Sequence, residues 1–146
     1  MKPLLLGSGL VALAAVTFSS FSGSDGLAAV ITGVESTEAA CIEAINQRDG
    51  SLLDASAYTG TYTRVNNDKK KDIVLRNTTD AYCGSAGCVY EICLVNDSGV
   101  QLIPFSYAAQ DLRVLDSITD TMHDIELTGK SDVRLVWDYS RYIHAR

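Results

Sequence analysis

The densest group of reactive side chains lies in the segment AYCGSAGCVYEICLV, residues 81–95. Cys83, Cys88 and Cys93 recur there at regular intervals, and Cys41 is the fourth cysteine of the chain. Zinc sites favour two separate C-x2-4-C pairs, often with histidine, and redox centres favour C-x-x-C. Here the spacing is C-x4-C-x4-C, His123 and His144 are far away in sequence and C-x-x-C is absent, so the cysteines favour disulfide chemistry and an oxidising compartment.

The local geometry of this segment predicts which cysteines pair. Cys83 and Cys88 flank GSAG, a turn sequence between two strand-like runs, so a hairpin would place them opposite each other within disulfide range. Cys88 and Cys93 would lie on opposite faces of one strand, about 17 Å apart, and so cannot bond to each other. Elimination then predicts a second disulfide between Cys93 and Cys41.

A second candidate for chemistry is the polar segment RVNNDKKKDIVLR. It resembles the calcium loop of FG-GAP-like, integrin-type repeats, which reads D-x-N-x-D-G-x-x-D before an apolar strand. The resemblance places calcium ligands at Asn66, Asp68 and Asp72. Arg64 stands in place of the first aspartate and Lys69 in place of the glycine. We therefore predict no metal site, because too few carboxylates remain to offset the dehydration of calcium, and Arg64 could bond Asp68 or Asp72 instead.

Further motifs extend the resemblance over roughly residues 58–143. The CGSAGC segment resembles the C-G-x-G-G-C clip of small exported bacterial proteins built on degenerate repeats of this type. MHDIEL and LVWDYSRY resemble the later strand and hairpin of those proteins, with Tyr139 where glycine is usual. The resemblance implies a small β-rich exported domain and no particular activity.

No catalytic motif is present in the sequence: there is no G-x-S-x-G, H-E-x-x-H or Walker loop. His123 is expected to be a hydrogen-bonded histidine at a strand edge, with Asp120 or Asp124 as partner. His144, near the C-terminus, is expected to be solvated. The neighbouring carboxylates are expected to cap turns and face water: Asp116, Asp120, Asp124 and Glu126.

One helix and a series of short strands would position these residues. The segment ESTEAACIEAINQRDG predicts a helix over 37–48, capped by Ser36 or Thr37, with Cys41 on its apolar face and Gly50 as its stop. From residue 58 onwards, seven short β-branched and aromatic runs alternate with turn sequences, and NDSG predicts a hairpin. We therefore predict an α+β fold, with this N-terminal helix packed on a mainly antiparallel sheet of about six or seven strands, stapled by disulfides.

The N-terminal region predicts export. Residues 1–28 hold one basic residue, an apolar run and a tail of small residues, which is the layout of a secretory signal peptide. The run is too short to span a bilayer comfortably, so no stable membrane insertion is expected after cleavage. Residues 29–146 would form a single periplasmic or secreted domain.

The charge and the missing motifs narrow the function. The formal net charge is −6, and the one basic run, DKKKD, is bracketed by aspartates, so no nucleic-acid partner is expected. We expect a non-enzymatic binding module without a cofactor, acting on an unknown protein or envelope component, as inhibitors and immunity proteins do. The alternatives are a small periplasmic hydrolase using His123 and nearby carboxylates, and a structural envelope protein.

Overall fold

The computed structural model describes residues 33–146, with side chains from residue 37 onwards. The described chain contains one α-helix, two 3-10 turns and ten strands. The helix is α1 (Gly33–Asp49), and the 3-10 turns are Ala55–Ala57 and Asp80–Tyr82. The strands are β1 (Tyr58–Thr63), β2 (Asp72–Asn77), β3 (Cys83–Gly84), β4 (Gly87–Asn96), β5 (Gly99–Leu102), β6 (Tyr107–Ala109), β7 (Asp111–Thr119), β8 (Met122–Thr128), β9 (Val133–Trp137) and β10 (Tyr142–His144).

The strands form two antiparallel sheets. In the large sheet, β4 is central and pairs with β2 and β3 along one edge and with β5 and β6 along the other, while β1 flanks β2. The small sheet is a meander in the order β10-β9-β8-β7. The predicted NDSG hairpin is confirmed, because Asn96 pairs with Gly99 at the β4–β5 turn.

The molecule has three layers: the helix, the large sheet and the small sheet. Strand β2 shows how one sequence serves two interfaces, since Ile73 and Leu75 pack with the helix while Val74 faces the small sheet. This alternation follows from the period of two in a strand. The core between helix and large sheet consists of Cys41, Ile42, Ile45, Ala57, Tyr58, Ile73, Leu75 and Cys93. The core between the sheets consists of Val65, Val74, Tyr90, Ile92, Ile103, Phe105, Ala109, Met122, Ile125, Leu127, Leu135 and Tyr142.

Both predicted disulfides are confirmed. Cys83 and Cys88 are directly opposed in the β3–β4 hairpin and bonded to each other. Cys93, on the opposite face of β4, bonds Cys41 and joins the helix to the large sheet. Gly87 lets this hairpin approach β6, since a Cβ at that position would lie 1.9 Å from a backbone oxygen of Ala109. Two disulfides are compatible with an exported protein in an oxidising compartment.

Three features of the predicted fold need correction. The chain forms two sheets and ten strands, rather than one sheet of six or seven, because β3, β6 and β10 are too short to show alternation in the sequence. The helix begins at Gly33, before the predicted cap at Ser36 or Thr37. Its predicted stop is confirmed: Gly50 has a φ of 65°, and the N–H of Ser51 donates to the carbonyl of Asn46 at 3.1 Å.

The predicted signal peptide, residues 1–28, lies outside the described residues. Within the described part of the chain, no helix is both long enough and apolar enough to cross a membrane.

Candidate functional site

The candidate site is a groove of about 480 Å³ at one end of the two sheets. Three loops meet there: the segment between β1 and β2, the β7–β8 turn and the β9–β10 turn. We call this feature the loop-end groove. Its lining residues are Asn66, Asn67, Asp68, Leu94, Thr121, Met122, Trp137 and Tyr139.

Two of these loops have an unusual backbone conformation. Asp120 has a φ of 58° and Tyr139 a φ of 70°, and they are the two non-glycine residues with positive φ in residues 33–146. Each is the first residue of a two-residue hairpin loop, because Thr119 pairs with Met122 and the N–H of Asp138 donates to the carbonyl of Arg141. Two-residue hairpin loops in which only the first residue has positive φ normally place glycine there. A tyrosine at such a position is a backbone outlier.

The strained turn displays the Tyr139 side chain to solvent. Tyr139 is 82% exposed, whereas Trp137 beside it is half-buried. The nearby carboxylate of Asp120 raises the pKa of Tyr139, because it favours the protonated phenol. Asp138 fixes the turn from within, since its Oδ1 accepts hydrogen bonds from the N–H groups of Ser140 and Arg141. The groove therefore presents one exposed aromatic ring on a turn that its own side chains hold rigid.

The third loop is anchored by a buried carboxylate. Asp72 is fully buried, and its Oδ2 accepts hydrogen bonds from the N–H groups of Val65 at 2.8 Å and Asn66 at 3.1 Å. Its Oδ1 accepts from the N–H of Val95 at 2.9 Å, at the end of β4. Asp68 is exposed and organises the outer part of the loop by accepting a bond from the N–H of Lys70 at 2.7 Å. Asp72 thus anchors the buried part of the loop, and Asp68 fixes the backbone of its exposed part.

The calcium-type segment is arranged differently from the expected Arg64 pairing. Arg64 bonds neither Asp68 nor Asp72, because Asp72 is buried against backbone amides and Asp68 binds Asn66 and the backbone of Lys70. The expected ion pair does not form, because backbone N–H groups already bind these carboxylates. No group of three or more acidic, histidine or cysteine side chains suited to a metal ion occurs in the described residues.

His123 lies at a separate place, in a cavity of about 470 Å³ that also contains Arg64, Lys71 and Asp116. Its Nδ1 is 2.7 Å from the carbonyl oxygen of Leu115, so its hydrogen-bonding partner is backbone rather than the expected Asp120 or Asp124. Because a carbonyl oxygen can only accept, Nδ1 of His123 carries the proton in this bond.

The acidic residues of this region are held by other partners. Asp124 is buried and bonds Thr119 at 2.7 Å and Arg134 at 2.5 Å. Glu126 forms an ion pair with Arg113 at 2.8 Å, and Asp120 lies near the hydroxyl of Tyr139. The expectation that these carboxylates all face water is therefore wrong for Asp124, which is 1% exposed. His144 is exposed, as expected.

Comparison with protein-family models, curated proteins and solved structures found no match for this chain.

The groove combines an aromatic surface with amides, hydroxyls and a carboxylate, a composition suited to binding. Of the candidate catalytic and ligand residues singled out in the sequence, Asn66 and Asp68 line the groove and the others do not. Sequence reasoning missed Trp137 and Tyr139 as members of one surface. The available signal was Tyr139 itself, an aromatic residue in a hairpin at the position that the FG-GAP-like motif gives to glycine.

Proposed function

We propose that the protein is an exported, non-enzymatic binding module that recognises a protein partner through the loop-end groove, with Tyr139 as its anchor. The compartment is periplasmic or secreted, as the N-terminal pattern indicates. An inhibitor or immunity type of action fits a partner-binding module without catalytic groups.

The observation that carries the proposal is the conformation of Tyr139. Left-handed backbone costs a non-glycine residue about 1–2 kcal/mol, and exposing a large aromatic ring gains nothing in the folded monomer. Strained residues of this kind cluster at binding and catalytic sites. A partner that covers the ring would supply the missing burial.

The composition of the groove favours a protein partner. Tyrosine and tryptophan are enriched at the energetic centres of protein interfaces, and asparagine and serine in adaptable recognition loops. Here Trp137 and Tyr139 lie beside Asn66 and Asn67, at the loop end of a two-sheet structure. An envelope glycan is the competing ligand, because sugar rings also stack on aromatic side chains.

The test is affinity capture from envelope and secreted fractions with purified, immobilised protein. Wild type is compared with Tyr139→Gly, which relaxes the turn and removes the ring, and with Tyr139→Phe, which keeps the ring. Leu52→Ser is the matched control, since Leu52 is 98% exposed but lies outside the groove. Loss of an aromatic anchor is expected to weaken binding about tenfold or more, whereas Tyr139→Phe and Leu52→Ser retain it.

Two outcomes would contradict the proposal. Equal capture by wild type and Tyr139→Gly would show that the ring is not the anchor. Captured material that resists protease but is released by glycan-degrading enzymes would identify an envelope glycan in place of a protein.

A further inference from the structure

A second cavity, of about 260 Å³, lies between β1 and β7, the outermost strands of their sheets. We call it the threonine pocket. Its apolar lining comes from Val74, Leu112 and Val114. Its other lining residues are Thr59, Thr61, Thr63, Arg76, Tyr90 and Asp111.

Strand β1 turns hydroxyl groups towards this pocket. Its residues alternate, so Tyr58 and Tyr62 pack on the helix side while Thr59, Thr61 and Thr63 line the pocket. The inward positions of stacked sheets are normally apolar and fill the core. Thr59 and Thr61 are exposed and Thr63 is half-buried, so these three alternate residues form a polar wall that is open to solvent at this edge of the space between the sheets.

Arg76 supplies an unpaired cation to the same pocket. It follows Val74 on the inward face of β2, is half-buried and forms no ion pair with a carboxylate of the described chain. Its Nη2 has a weak sulfur contact, 3.5 Å from Sγ of Cys88. Its Nε is the one buried side-chain nitrogen or oxygen in the described residues that has no hydrogen-bond partner. A partly buried guanidinium without an anion is unfavourable, because the lost hydration is not replaced.

The remaining polar groups define what would complete the site. Asp111 lines the pocket opposite the threonine wall but is not paired with Arg76; its Oδ1 accepts a bond from the adjacent N–H of Leu112 at 2.9 Å. The hydroxyl of Tyr90 donates to the carbonyl of Gln110 at 3.5 Å. The pocket thus has a cation at one point, a carboxylate at another and hydroxyls between them.

We propose that the threonine pocket binds a small monocarboxylate that carries an amine or hydroxyl close to its carboxyl group, as amino and hydroxy acids do. The planar guanidinium of Arg76 receives the carboxylate through its terminal nitrogens, and the threonine hydroxyls bond the remaining lone pairs. Asp111 accepts the amine or hydroxyl proton. The same carboxylate repels a multiply charged anion such as phosphate, and the volume excludes drug-sized ligands.

The test is calorimetric titration and amide chemical-shift mapping of the full protein with alanine, lactate, acetate and inorganic phosphate as probes. Alanine and lactate are expected to bind saturably and to shift the amides of β1 and β2, with acetate and phosphate weaker. Arg76→Gln is expected to weaken binding about tenfold or more, and Thr61→Val about two- to tenfold, through lost hydrogen bonds. Asp111→Asn is expected to reduce the ratio of the affinity for alanine to the affinity for acetate.

Arg113→Gln is the matched control. Arg113 lies on β7 near the pocket but is paired with Glu126, so its replacement is expected to leave binding unchanged. Thermal melts of each variant identify any that fail to fold, and Thr61→Val then tests the pocket without altering the cation. Absence of saturable binding by alanine and lactate would overturn the proposal. Binding that survives both Arg76→Gln and Thr61→Val, or phosphate binding more tightly than alanine, would also overturn it.

Discussion

The helix side of the molecule and its loop end are stabilised in different ways. On the helix side, the Cys41–Cys93 disulfide and a two-pronged ion pair between Arg48 and Glu91, with both N–O distances 2.9 Å, fasten regular elements together. At the loop end, irregular backbone is held by the buried carboxylate of Asp72, and the turn of the exposed ring is held by the half-buried carboxylate of Asp138. The helix side is therefore cross-linked between regular elements, whereas the loop end leaves an aromatic ring exposed on irregular backbone.

The largest effect is expected on the helix side, from removing the long-range disulfide. Cys41→Ala combined with Cys93→Ala should lower the free energy of unfolding by about 4 kcal/mol, because the closed loop spans 52 residues. The matched double variant, Cys83→Ala with Cys88→Ala, removes the disulfide that closes a short loop. It should lower the free energy of unfolding by about 2 kcal/mol. Chemical denaturation measures both values. A larger loss from the short clip would contradict this ordering.

At the loop end, Asp72 should have the next largest effect. Asp72→Asn replaces one of the two acceptor oxygens by an amide NH2 group. This group cannot accept the hydrogen bond of the backbone N–H that it faces. The expected loss is about 2–4 kcal/mol, since bonds to a charged acceptor are the strong ones. Asp68→Asn is the control in the same loop and should cost less than about 1 kcal/mol, because Asp68 is exposed. Equal losses in denaturant melts would show that Asp72 is not the anchor.

The dependence of stability on pH tests the role of Asp124, which binds Thr119 next to the strained Asp120. Burial of Asp124 opposes its ionisation, but hydrogen bonds from Thr119 and Arg134 outweigh burial and hold its pKa below the usual range. A carboxyl with a lowered folded pKa contributes stability that is present above its unfolded pKa, about 4, and is lost as the pH falls through the folded value. Melts across this acidic range measure the loss.

Two variants separate the contributors to this pH dependence. Asp124→Asn should be less stable than wild type at neutral pH and should flatten the acid-side decline. Arg134→Gln should reduce the decline partly, because the bond from Thr119 remains. An unchanged acid limb in Asp124→Asn would mean that other carboxylates govern it.

Tyr139 should show a small effect of opposite sign. Tyr139→Gly relieves the left-handed backbone and should raise the free energy of unfolding by up to about 1 kcal/mol, after the entropy of glycine in the unfolded chain is counted. Leu52→Gly, at an exposed residue without positive φ, should lower stability by about 0.5–1 kcal/mol. Parallel losses in the two variants would contradict strain at Tyr139.

Calcium should have the smallest effect. The carboxylate of Asp72 is occupied by three backbone N–H groups, and Lys70 is paired with Asp97, so a cation at this loop would have to displace existing bonds. A thermal melt in millimolar calcium should match one in chelator at equal ionic strength. A ligand at 100 times its dissociation constant would add about 2.7 kcal/mol, so a real site would be visible as a higher melting temperature.

Much of the fold could be predicted because its signals are local. Runs of β-branched and aromatic residues between turn sequences predicted seven of the strands, and the turn sequences GSAG and NDSG predicted two hairpins. The division into two sheets could not be predicted, since β4 gathers four partner strands through contacts that are distant in sequence. The short strand β6, for example, pairs with β4 and ends at Ala109, which is buried with the nearby Phe105 in the core between the sheets.

The candidate sites were less predictable than the fold. The residue types of His123 and Asp124 suggested catalytic chemistry. In the structure, His123 bonds a backbone carbonyl, and Asp124 bonds a threonine and an arginine. Arg76 reads in sequence as an ordinary strand residue, and it stands out only because it forms no ion pair within residues 33–146. Residue type alone does not show which group a side chain binds in the folded protein.

The sequence by itself determined the disulfide pairing, the helix and most strands, because each depends on periodicity or on residues that are neighbours in the chain. The tertiary structure alone decided that three loops meet beside Tyr139 and that the threonines of β1 face Arg76. The physical reason is that a groove or pocket forms between elements. Its shape depends on how two sheets are stacked, and their stacking is set by the whole core rather than by any one segment.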